Sequence, residues 1–218
     1  MSGENVQCGH CKVKSCVLGD FSKSPEFCAS TNYADEMEEV KIKLEDEENR
    51  AMAQDVARSW KNIGKNTRIE ETMQYARNRG YNKLGLAFCF GLSYEAELLT
   101  NLFINEGFDV SSATCMSGGL TSDDIGLPEE DKIMKGQRQP MCNPIGQAMI
   151  LDSEGCELNI VLGLCVGDDT LFIKHSKAPV TVIAVKDSVL AHNPLAVLYT
   201  SKNFNARVNT ERPKKNKK

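Results

Sequence analysis

The chain lacks most of the short motifs that tie a sequence to a familiar chemistry. No glycine-rich phosphate loop with its following lysine is present, and CFGLSYEAE holds too few glycines for a dinucleotide fingerprint. No nucleotide cofactor is therefore expected. HExxH and G-x-S-x-G are absent as well, so zinc-peptidase and α/β-hydrolase chemistry are without their signatures. Long apolar runs are missing. The longest lies around NIVLGLCVG, far too short to span a bilayer, and no membrane association is expected. There is no excess of positive charge: 26 Lys and Arg stand against 30 Asp and Glu, for a net charge of −4, which does not suggest nucleic acid as a partner. The opening residues, MSGENVQCGH, show neither a basic start nor an apolar segment, so the expectation is a cytoplasmic protein. No strong repeat of constant length is visible.

What the chain does have is cysteine, nine in 218 residues. Disulfides are disfavoured in the cytoplasm, and an odd count argues against a complete disulfide framework. Metal binding or thiol chemistry is the usual reason for such a number. The hydrophobic share of 41% is enough for a real core, and 26% charged residues do not describe a globally disordered chain.

Four cysteines crowd the first 32 residues. VQCGHCKVKSC carries Cys8, Cys11 and Cys16, and Cys28 follows, giving C-x2-C-x4-C-x11-C. The first pair is a soft-metal signature. The full spacing matches neither an ordinary zinc finger nor the C-x2-C-x2-C ferredoxin run, so zinc and iron–sulfur both stay open. His10 is either a spectator or a group outside the ligand set. Residues 1–32 have little periodic apolar patterning and cannot build a core alone; a bound metal would supply the cohesion.

Residues 33–80 read as a helical segment packed on the core. In 33–58, Val40, Leu44, Met52 and Val56 are spaced as a buried stripe. A second helix covers 68–79 and stops at Gly80. From 81 to 205 the pattern becomes strand, helix, strand, helix, strand, short helix, strand. The strands are KLGLAFC, FDVSSATC, LNIVLGLCVG and PVTVIAVKD. Ser93 and Asn143 are expected as helix caps, with Pro144 in a first turn. That order predicts an α/β fold with a mostly parallel sheet and helices on both faces, preceded by the cysteine-rich metal knot and the helical segment. Residues 206–218 form a polar, basic tail expected to be disordered.

The α/β part has its own cysteine pattern. Cys89, Cys115 and Cys165 each end a strand and run into a glycine-containing turn, and Cys142 stands at the start of a helix. In a parallel sheet these positions share one edge, where such folds bind ligands. Four converging thiolates suit tetrahedral zinc or an iron–sulfur cluster. The glycines favour a cluster, because they let the backbone approach a bulky group. Cys156 falls at the opposite edge and reads as structural.

Other groups near that edge are ordinary structural residues or participants in chemistry. Asp168 and Asp169 are either helix caps or polar contacts to substrate. His175 is a structural histidine, a ligand or a proton donor, and His192 lies in a turn after the last strand. In a non-redox thiol enzyme, Cys142 would be the nucleophile, with its pKa lowered by the helix start and His175 or His192 as base.

CGHCKVKSC, AFCFGLSYEAELL, MCNPIGQA, LNIVLGLCVGDDTLFIKHSKAPVTVIAVKD and HNPLAVLY together resemble a bacterial and archaeal metal-binding family known only by a domain-of-unknown-function label (DUF1847), over nearly the whole chain. The resemblance implies metal binding, often in anaerobes, and no established reaction. The expectation from all of this is a metal-binding protein holding an iron–sulfur cluster, such as 4Fe–4S, in preference to zinc. It would act in redox chemistry on a small molecule or with a redox partner protein. A zinc-binding structural, carrier or sensor protein is the alternative, and whether the chain is an enzyme at all stays open.

Overall fold

A computed structural model describes residues 5–208 and 210. Most of the expected basic tail lies outside them. The chain divides after Lys61 into two compact units. No helix among the described residues is long and apolar enough to cross a membrane.

The first unit begins with turns and two single-turn helices, α1 (Ser15–Leu18) and α2 (Ala29–Asn32), followed by α3 (Ala34–Lys43) and α4 (Glu47–Ser59). The cysteine-rich segment is thus not a unit of its own; it shares this one with α3 and α4. The single helix expected over 33–58 is broken at 44–46. Asp46 caps α4 by accepting from the Asn49 N–H at 2.9 Å, and Arg50 Nε donates to the Leu44 carbonyl at 2.9 Å. These local side-chain bonds supply what a continuous helix would have supplied through its backbone. Val40, Leu44 and Val56 of the expected stripe are exposed.

The second unit holds α5 (Arg68–Arg79), β1 (Lys83–Phe88), α6 (Ser93–Asn105), β2 (Asp109–Thr114), α7 (Pro144–Ser153), β3 (Leu158–Leu164), α8 (Asp168–His175), β4 (Val180–Val185) and the single turn α9 (Ala196–Tyr199). The stretch read as one helical segment, 33–80, is therefore split, with α5 belonging here. Its ends follow the sequence closely: Thr67 and Glu70 form a reciprocal capping box, and Gly80 closes the helix at φ +72°.

All strand pairs are parallel, in the order β2-β1-β3-β4. β3 is buried along its whole length, as expected of a central strand covered on both faces. On one face, Leu84, Leu86, Leu158, Ile160 and Leu162 pack with Met73 and Ala76 of α5 and with Ala96, Leu99 and Phe103 of α6. On the other, Ala87, Ala113 and Val161 pack with Ala148 and Leu151 of α7 and Phe172 of α8. This is an α/β fold with a parallel sheet flanked by helices.

One feature of β3 breaks the alternation. Leu158, Ile160 and Leu162 face α5 and α6, yet Leu164 lies with Val161 on the other side. Gly163 absorbs the change. It sits at φ +69° at a register slip against β4, and a Cβ there would lie 1.9 Å from Leu92 Cδ1. Only glycine meets both conditions. The bulge sets the exit of β3, and with it the position of Cys165.

Candidate functional site

The chain path creates a crevice before any side chain is considered. From β1 the chain passes to β2 on one side of it. It then returns to β3 on the other side and moves outward to β4. The C-terminal ends of β1 and β3 therefore diverge at a topological switch point, the place where open parallel sheets take ligands. Cys89 follows β1 directly and Cys165 follows β3 directly.

Backbone register brings the other thiols in. The Cys89 N–H donates to the Leu162 carbonyl at 3.1 Å, and the Cys115 N–H to the Phe88 carbonyl at 2.9 Å. Cys89 and Cys115 are thus level on adjacent strands about 4.8 Å apart, and both side chains belong to the α7–α8 face. Cys115 Sγ accepts from the Phe90 N–H at 3.3 Å. The Asn143 N–H donates to the Cys115 carbonyl at 2.7 Å, which ties the start of α7 to the end of β2. Asn143 caps α7 through Gly146, and its Nδ2 donates to the Ser117 carbonyl at 3.1 Å. Between these two feet the loop is closed by the Thr121–Pro140 antiparallel bridge. Cys142, beside Asn143, stands close enough to Asp168 and Cys115 for both to act on its thiol.

Cys89, Cys115, Cys142 and Cys165 are therefore brought to one edge, together with Asp168. Burial, then the Asp168 carboxylate and Cys115, push the Cys142 thiol well above the ordinary range. Burial, then Cys89 and Asp168, push Cys165 up, against a smaller opposing effect of Lys186. The lowered pKa expected for Cys142 at a helix start is thus reversed, because desolvation and a nearby carboxylate outweigh the helix dipole. In metal-free protein, Cys142 should react with iodoacetamide more slowly than a free cysteine at about pH 8, as site-resolved mass spectrometry would show. The native state holds this proton more tightly than the unfolded chain. That lowers native stability as pH rises beyond the ordinary thiol pKa.

His175 does not join this group. It is the last residue of α8, exposed, and α8 runs from the Cys165 edge back to the start of β4. The neighbouring Ser176 accepts from Asn159 Nδ2, near the beginning of β3, at 2.8 Å. The helix length separates His175 from Cys142, so it is not placed to act as its base. His192 follows β4 on the thiol side. The Asp187 N–H donates to its Nδ1 at 3.2 Å, and the His192 N–H donates to the Asp187 carbonyl at 2.8 Å. Asp169 takes the bland role: its carboxylate accepts from the N–H groups of Gly167 and Thr170. Cys156 is buried at the opposite edge, where its environment includes Lys83 and Ser111.

Two residues escape a sequence reading. Gln147 is fully buried on α7, and its Nε2 donates to the carbonyls of Phe88 (3.1 Å) and Ala113 (2.7 Å). It ties the ends of β1 and β2 just below Cys89 and Cys115. A glutamine among the apolar positions of CNPIGQAMIL was the available signal. The other is Lys186, whose ammonium reaches Gly91; nothing local in the sequence marks it.

In the first unit, Cys8, Cys11, Cys16 and Cys28 all line one cavity of about 110 Å³, with Lys14, Ser15 and Phe27 among its other walls. Ser15 is 2% exposed, and its Oγ has no hydrogen-bond partner. The Cys28 thiol is held below its usual pKa chiefly by the Thr31 N–H. His10 is exposed, is not among the cavity residues, and bonds Gln7 at 2.9 Å.

All nine cysteines are free thiols. Among the described residues, no group of three or more His, Cys, Asp or Glu side chains stands arranged to hold a metal ion. The donor chemistry nonetheless fits a soft metal in both places. The first unit offers four thiols and an orphaned buried hydroxyl around one cavity, and the sheet edge offers four thiols, of which Cys142 and Cys165 are held protonated by burial.

Fold and edge together define an α/β protein with a parallel sheet flanked by helices and four cysteines gathered at its switch point. The chain belongs to the family described as protein of unknown function (DUF1847), whose model matches residues 28–183. That range contains all four edge cysteines and begins at Cys28, so Cys8, Cys11, Cys16 and the HNPLAVLY stretch fall outside it. The resemblance read over nearly the whole chain is narrower in this match. The chain is also 46% identical, over 136 residues, to the uncharacterized protein MJ0455 of Methanocaldococcus jannaschii, covering 62% of this chain and 68% of that protein.

Proposed function

We propose that the protein is a cytoplasmic soft-metal protein that holds iron–sulfur clusters through cysteine thiolates. In this reading the N-terminal cysteines form a metal knot serving structure or electron relay, and the sheet edge is where a small molecule or redox partner is met. The observation that carries the reading is the single cavity lined by all four cysteines of the C-x2-C-x4-C-x11-C segment. A buried, unpartnered hydroxyl in its wall is an expensive feature unless something bonds it, and a metal-bound sulfur would accept from Ser15.

The sheet edge supports the second part. Neutral thiols beside a carboxylate are the protonated form of a ligand set; a metal displaces those protons and is held more tightly as pH rises. Gly91 and Gly167 carry no side chain of their own close to Cys89 and Cys165. If bound, an iron–sulfur cluster would supply electron transfer. The chain's own residues would position it, exclude water from the buried Cys115 side, and place Asp168 at its rim.

The reading is tested by purifying the protein without oxygen and measuring absorption, iron, acid-labile sulfide and zinc together. Iron with sulfide in stoichiometric amounts is the expected result. Zinc alone would replace the cluster with the structural, carrier or sensor role, and the absence of both metals would overturn the reading.

A further inference from the structure

Lys186 is far in sequence from every cysteine, yet its ammonium lies at the sheet edge beside Gly91, in the turn that follows Cys89. Its N–H donates to the Leu164 carbonyl at 3.0 Å, which places its backbone beside the exit of β3. From there the side chain passes the end of β3 toward the turn after β1. A Cβ built on Gly91 would lie 3.0 Å from Lys186 Nζ and 3.9 Å from Cys89 Sγ. The ammonium thus lies near Cys89 at the switch-point end of the sheet, and its charge acts on Cys165. Lys186 is half-buried and forms no salt bridge among the described residues. Other half-buried or buried lysine side chains on this unit are paired, Lys83 with Asp109 and Glu154, Lys132 with Asp123 and Glu129.

A partly desolvated cation without a carboxylate is unfavourable. Here the groups around it are thiols. Four thiolates on a metal dication or on a cluster carry excess negative charge, and a cation at that rim offsets it more strongly than in bulk water. We infer that Lys186 is the counter-charge of the edge centre, a positioning residue that keeps the thiolate–metal assembly bound and sets its reduction potential. The inference rests on the proposed metal reading of that edge. Gly91 is part of the device, because a side chain there would push the ammonium off the crevice. Its φ lies outside the left-handed region and its space is limited only by the flexible end of Lys186 and by Cys89, so alanine can be accommodated.

The test compares the anaerobically purified protein with Lys186→Met, Lys186→Arg, Gly91→Ala and the surface control Lys174→Met. Metal retention is measured against EDTA and bathophenanthroline, and the midpoint potential is measured where iron is present. Lys186→Met should lose metal about ten- to a hundredfold more readily, with a lower midpoint potential and an unchanged melting temperature. Gly91→Ala should move in the same direction while keeping the charge, and Lys186→Arg should restore most of the retention. Cys165→Ser separates the two ideas. If it removes metal while Lys186→Met and Gly91→Ala behave as the parent protein, the counter-charge role fails and the metal reading stands. If Cys165→Ser leaves metal content unchanged, the edge holds no metal and both fail.

Discussion

Gly163→Ala is expected to cost the sheet unit about 3 kcal/mol or more of stability, from overpacking and a left-handed backbone together. The added methyl would sit 1.9 Å from Leu92 Cδ1, and the residue would have to keep φ at +69°. Leu92 is itself buried at the start of α6, and Gly163 lies in a strand buried throughout, so neither can retreat without moving the other elements of the core. Against a typical total of roughly 5–15 kcal/mol, a loss of this size leaves little margin. Urea unfolding of both proteins would measure it. Gly155→Ala is the control: Gly155 also has positive φ, at +73°, but a Cβ there meets nothing within 4 Å. It should cost only about 1–2 kcal/mol for the backbone conformation. Equal costs for the two substitutions would show that the contact with Leu92 does not constrain the bulge.

The same position shows what sequence reading could and could not reach. LNIVLGLC reads as a buried strand because its apolar run is unbroken, and a strand is what forms. The flip of Leu164 to the other face is invisible in that run, since both faces of a central parallel strand are apolar and no alternation exists to be violated. The caps at Thr67, Gly80 and Asn143 were legible because capping is local chemistry. The break at 44–46 was also local, but it depends on Arg50 reaching back to Leu44, and KIKLEDEENR has strong helix formers on both sides. At the edge, strand-ending cysteines could be placed from topology alone, because parallel strands end on the same side. Lys186 could not, since its relation to Gly91 arises only when β1, β3 and β4 lie in their spatial order. His175 misled for the opposite reason: ten residues from Cys165 is close in sequence, and an eight-residue helix turns that closeness into distance along the sheet.

Substitutions within each cysteine group should remove metal group by group. Cys8→Ser and Cys11→Ser should abolish the N-terminal centre and leave the edge centre, while Cys115→Ser and Cys165→Ser should do the reverse. Total metal should then fall to the share of the remaining group, and a protein changed in both groups should hold none. The two groups are separable because they sit in different compact units, one lining its own cavity and the other on a sheet edge. Serine preserves size but its hydroxyl is a hard, poorly ionised ligand beside a thiolate. At Cys115, 1% exposed and accepting from the Phe90 N–H, it also keeps a hydrogen-bond acceptor, so loss of metal there is not simply loss of folding. Cys156→Ser tests the other side of the claim. Cys156 is also a buried cysteine, but it lies at the far edge of the sheet near Lys83 and Ser111, and metal content should not change. Metal loss in Cys156→Ser equal to that in Cys115→Ser, with both proteins folded by circular dichroism, would mean that topology does not determine which thiols bind. Unchanged metal in every edge variant would confine the chemistry to the first unit and leave the switch-point crevice to a ligand of another kind.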